Sequence, residues 1–166
     1  AYMVIGQQEQ LLDQWHQLLE HGGKYLLQTG GLDYQKIVRI ENPGWDDALW
    51  AEYNLNPVEL QLQWAVQNDK EGFVGKDAAE ELSHGEGARK VIGMIVEGEC
   101  SGIESGDNVL VEGQVVGKVA KAIYSPALQC FIALALIDNE YAWSDISGFA
   151  IQTRSETVAA KTKGMP

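Results

Sequence analysis

Cysteine is scarce in this sequence, with Cys100 and Cys130 the only two among 166 residues. Neither has a second Cys or a His at metal-ligand spacing, so we expect two reduced core thiols in preference to a disulfide. Basic residues are also few: 12 Lys and Arg stand against 24 Asp and Glu, a formal charge of −12. A nucleic-acid partner needs clustered cations to neutralise phosphates, and that class is set aside. The acidity is read as serving solubility. Long hydrophobic runs are missing too, and none approaches a bilayer crossing. The opening Ala1 to Gly6 lacks the charged and apolar regions of a signal peptide. A soluble, cytoplasmic protein with no membrane partner is expected.

Familiar catalytic patterns are absent as well. There is no Ser-His-Asp order, phosphate-cradling glycine motif or metal pair. Gly102 and Gly106 are spaced like hairpin glycines. His16 and His21 lie near a helix end, where His21 can meet the last carbonyls, and His84 falls in a glycine-rich loop. Asp33 reads as a first-turn helix charge, and Asp69-Lys70 as a turn.

What is present is a globular core: 45% apolar residues and five tryptophans. Phe131 to Ile137 is an unbroken apolar run of strand length, which predicts a strand buried on both faces. Ile132, Leu134 and Leu136 point one way, while Ala133 and Ala135 leave room for a close neighbour. Ser125-Pro126 sets the turn before it, because proline fixes its own φ and keeps Ser125 out of the helical region. Strands at short intervals surround it: Val91 to Val96, Asn108 to Val111, Gln114 to Tyr124, Gln129 to Asp138 and Gly148 to Thr153. That rhythm suits a small barrel or sandwich. Glu112-Gly113 makes a hairpin turn. Strict alternation puts Lys118 and Lys121 on opposite faces, which calls for a bulge near Ala120 or an exposed edge. Ser155 to Pro166 is read as a tail or a last short strand.

The first 88 residues differ in character. Tyr2 to Ile5 and Lys24 to Gln28 read as strands, Gln7 to Glu20 and Leu32 to Ile40 as helices, together an α/β layer. In the first helix Leu11, Leu12, Trp15, Leu18 and Leu19 share one face, and Gly22-Gly23 stops it. In the second, Ile37, Val38 and Ile40 point inward. The layer opens abruptly, so further strands are expected upstream of residue 1 or in another chain. Residues 41 to 57 carry two turn signals, Asn42-Pro43-Gly44 and Asn56-Pro57, with Trp45, Trp50 and Tyr53 between them. Such an aromatic loop is either pinned to the core or shaped around a flat ligand. Val58 to Val66 alternates like a half-buried strand, and Lys76 to Leu82 forms a short helix. Arg39-Ile40-Glu41 ends a helix beside the aromatic loop. Glu41 either accepts N–H groups of a flat heterocycle or forms a surface pair with Arg39.

In order and spacing, Gly30-Gly31, Arg39-Ile40-Glu41, Asn56-Pro57-Val58-Glu59-Leu60, Trp64-Ala65-Val66 and Phe73-Val74-Gly75-Lys76-Asp77-Ala78 resemble the C-terminal half of the aminomethyltransferase family. Gly113, Gly117-Lys118-Val119, Ser125-Pro126 and Ile132-Ala133-Leu134-Ala135 continue the resemblance. The family's type member is the glycine cleavage system T-protein. The resemblance implies an α+β chain, a partial ferredoxin-like α/β layer followed by a C-terminal antiparallel Greek-key β-barrel. Residues 1–88 would end a folate-binding domain, 89–154 form the barrel, and 155–166 a tail. It further implies tetrahydrofolate as cofactor, a small amine or methylated donor, and Glu41 as a pterin contact. No catalytic residue carries over, since the family's catalytic aspartate belongs to a first domain not represented here. A missing N-terminal half or a partner subunit is implied in turn. The family's arginine cluster after Trp64 is replaced by Gln67-Asn68-Asp69-Lys70, so a demethylase, or the folate domain of a dimethylglycine or sarcosine oxidising enzyme, fits about as well. A non-catalytic interaction module is the reading of a different class.

Overall fold

The computed structural model describes residues 8–22, 32–41, 51–67, 69–84, 89–143 and 145–163. Two compact units divide the chain, Ala1–Gln35 and Lys36–Pro166. In the first unit, α1 (Gln8–Gly22) forms where the 3.6-residue periodicity places it. Its apolar stripe stays largely in solvent, with Leu12 51% and Leu18 47% exposed. Helix α2 (Leu32–Glu41) begins in the first unit and ends in the second, and α3 spans Lys76–His84. The expected strands Tyr2 to Ile5 and Lys24 to Gln28 lie outside the described residues, as do Trp45 and Trp50.

Six antiparallel strands close a barrel: β1 (Arg89–Glu97), β2 (Asn108–Val111), β3 (Gln114–Ser125), β4 (Cys130–Asp138), β5 (Phe149–Gln152) and β6 (Thr157–Lys163). They run around the barrel in the order β1-β4-β3-β2-β5-β6. Strands β2, β3 and β4 are consecutive neighbours, and β1 returns beside β4, which is a Greek key. The chain is thus α+β, helices followed by an all-antiparallel barrel. Glu112 and Gly113 both take positive φ, 50° and 83°, as a two-residue hairpin between right-twisted strands requires.

Alternation sorts the side chains. Ile92, Met94, Val96, Val109, Val119, Ala133, Ala135, Ile137, Phe149, Ile151, Val158 and Ala160 fill the interior. Ala133 faces Met94 and Ala135 faces Ile92 across the β1–β4 ladder, so each small residue meets a large one. The register of β3 against β4 shifts between Val119 and Lys121. That bulge at Ala120 pairs Lys118 with Leu136 and Lys121 with Leu134, putting both lysines on the outer face. The predicted conflict of faces is resolved there.

Two expectations are corrected. Val58 to Val66 is not a strand: residues 57–61 make a single tight turn, and Gln63–Ala65 a 3-10 turn that leaves Trp64 79% exposed. Asn56 causes this. Its Oδ1 accepts the amides of Val58 and Glu59 at 2.9 and 3.0 Å, while Glu59 Oε2 accepts the Asn56 amide at 3.0 Å. Asn56-Pro57-x-Glu59 is a reciprocal helix-start cap with proline at the first helical position. One turn later Leu62 N donates to Pro57 O and Gln61 N to Val58 O, with Gln61 at φ 57°, and the helix stops. The local capping bonds outweigh the period-2 pattern. The second correction concerns the C-terminus, where the barrel does not end at residue 154. Strand β6 pairs with both β5 and β1 and closes the sheet, because Val158, Ala160 and Thr162 alternate inward between exposed residues.

Gly117 is required by close approach. A Cβ there would collide with the Leu136 carbonyl and lie 2.7 Å from Ile137 Cα. Gly117→Ala is therefore expected to cost about 2–3 kcal/mol as overpacking. Urea unfolding would show it as a lowered midpoint, and an unchanged midpoint would contradict the close contact.

Candidate functional site

The outer face of β1, β3 and β4 carries an apolar patch: Val91, Ala120, Ile132, Leu134 and Leu136 are all buried there. Ile37 and Ile40 of α2, with Tyr53, Leu55, Leu60 and Leu62 of the following segment, cover it. Since Ile37 and Ile40 are one helical turn apart, their burial fixes the rotation of α2. Glu41 then lies at the helix C-terminus beside the β3–β4 hairpin.

There the Glu41 carboxylate meets Ser125. Ser125 Oγ donates to Glu41 Oε1 at 2.6 Å, a short charge-assisted bond. Ser125 is fully buried. Its Oγ also accepts the amide of Leu128 at 3.2 Å, which closes the turn begun by Pro126. Gln129, at φ 55°, reverses the chain into β4. Glu41 thus has a partner 84 residues away in the chain. Arg39, two positions earlier on the helix and exposed, does not face it.

A second joint lies beside the first. Among the described residues the β1–β6 ladder runs as far as Gly93 and Lys163, and the backbone of Val91 is bonded by the covering segment. Glu59 O accepts the Val91 amide at 2.8 Å, and Gln61 Nε2 donates to Val91 O at 2.7 Å. Arg89 Nε donates to Glu59 Oε1 at 2.7 Å, and Arg89 Nη2 to Tyr53 O at 3.3 Å. Glu59 is buried, and its two carboxylate oxygens serve Arg89 and the Asn56 cap separately. Sequence reasoning missed this residue; the Asn56-Pro57-x-Glu59 spacing was the signal that could have found it.

A third cluster ties the barrel's loops together. Glu156 Oε1 accepts both the amide and the hydroxyl of Ser101, at 2.7 and 2.6 Å. Those donors hold the Glu156 carboxyl below its ordinary range. Partial burial, with the Glu156 charge adding, raises the Cys100 thiol, which suits an unreactive core cysteine. Both cysteines are free and half-buried. Thr162, also buried, donates from Oγ1 to Trp143 O at 2.5 Å and accepts the Ile146 amide at 3.0 Å, fastening the β4–β5 connection.

The other residues singled out from sequence do not gather at these joints. His21 Nδ1 lies 2.9 Å from Gln17 O in the last turn of α1, in keeping with an end-cap role, and His16 is exposed on the same helix. Asp33 is exposed near the start of α2, and Asp69 and Lys70 are exposed in a turn. Among the described residues no three His, Cys, Asp or Glu side chains converge as metal ligands, and no helix is long and apolar enough to cross a membrane.

Comparison with known proteins places these observations. Residues 89–166 match the family model of the glycine cleavage T-protein C-terminal barrel domain. An aminomethyltransferase of Caldanaerobacter subterraneus is 34% identical over 131 residues, covering 77% of this chain and 34% of that protein. The chain belongs to the aminomethyltransferase family. Another aminomethyltransferase, from Alkaliphilus oremlandii, is 33% identical over 150 residues, covering 89% of this chain and 39% of that protein. The glycine cleavage system aminomethyltransferase T of Bartonella henselae shares the fold at a TM-score of 0.71 and 19% identity, over 93% of this chain and 42% of that one. The chain spans about a third to two fifths of the length of these aminomethyltransferases.

Two outcomes test the joints. Removing the Glu59 carboxylate (Glu59→Ala) leaves both Arg89 and the Asn56 amide without it. A loss of about 1–3 kcal/mol is expected in urea unfolding, less than for a fully buried pair because Arg89 is partly exposed. A loss near zero would mean that the joint is not formed. For Glu156 the folded pKa is depressed, so its clasp on Ser101 is intact above the ordinary glutamate range and is lost as pH falls through the lowered value. The Ser101 amide resonance should report that titration in NMR and should stop titrating in Glu156→Gln.

Proposed function

We propose that this chain is the C-terminal portion of a cytoplasmic, tetrahydrofolate-dependent aminomethyltransferase. Folate would accept a one-carbon unit from a small amine or methylated donor. The observation that carries the reading is the Glu41 carboxylate, fixed at a helix end by the barrel. Oε1 is engaged by Ser125, and a carboxylate has a second oxygen with which to accept the N–H groups of a pterin edge. An N–H···O bond to a held acidic side chain both orients a flat heterocycle and helps select it.

The residues of this chain fit a binding and orienting task. Glu41 would hold the pterin and so place its reactive nitrogen. Alignment of folate and donor lowers the entropic part of the barrier. The acidic group that assists the transfer would come from a part of the parent protein beyond these 166 residues, and none of the side chains described here is assigned that step.

Titrating tetrahydrofolate into the full-length protein and its Glu41→Ala variant tests this. Losing hydrogen bonds to a charged group predicts affinity weakened by about tenfold to a hundredfold, beside a lowered melting temperature because the buried Ser125 hydroxyl loses its acceptor. Equal affinity in the two proteins would remove Glu41 from the site.

A further inference from the structure

We draw no further inference here: the strongest candidate, the exposed surface patch of Trp143 and Ile146 on the β4–β5 connection that Thr162 fastens at one end of the barrel, carries nothing because nothing in the structure shows what covers it.

Discussion

Strand β4 has no solvent face, and the rest of the molecule is arranged around that constraint. Its residues Ile132 to Ile137 are buried without a break, half of them inside the barrel and half beneath Ile37, Ile40, Tyr53, Leu55, Leu60 and Leu62. A closed barrel solves the first half by giving every strand two neighbours, so no ladder edge is left open. It leaves the second half exposed. A patch formed by Val91, Ala120, Ile132, Leu134 and Leu136 needs a cover, and α2 with the Asn56–Gln61 turn supplies one.

The cover is held by polar bonds at two ends. At one, the buried Glu59 joins its own turn to Arg89 and, through its backbone, to Val91. At the other, Glu41 takes the hydroxyl of Ser125. Among the described residues every buried side-chain nitrogen or oxygen has a hydrogen-bond partner, so the joint is satisfied. The apolar contact sets where α2 lies; the polar ends set how its last residue is aimed. The barrel's own interior is filled with side chains.

Much of this was legible in the residues. The barrel strands follow from alternation and turn chemistry, and the bulge at Ala120 follows from two lysines that could not share a face otherwise. Helices α1, α2 and α3 appear where periodicity puts them, since that signal is local. The misreadings have physical causes. Between Val58 and Val66 the alternation was genuine, but Asn56 and Glu59 offered capping bonds that a count of apolar residues ignores. The last residues were open to both a tail and a short strand because the inward side chains of β6 are small, and pairing with β1 and β5 decides for the strand. Glu41 was singled out, yet its partner was not: a hydrogen bond spanning 84 residues leaves no local mark. Ser125 was read for its backbone, through Pro126, while its side chain makes the longer-range bond to Glu41.

The account stands on the cover and the barrel forming one cooperative body. Native-state hydrogen exchange measures this directly. The amides of Leu60 and Leu62, bonded within the covering turn, should exchange through the same high-energy opening as Ile132 to Ile137 in β4, with equal opening free energies and equal denaturant dependence. Exchange of Leu60 and Leu62 through a separate, much lower opening, with β4 still protected, would show that the cover lies loosely on a self-sufficient barrel and would contradict the account.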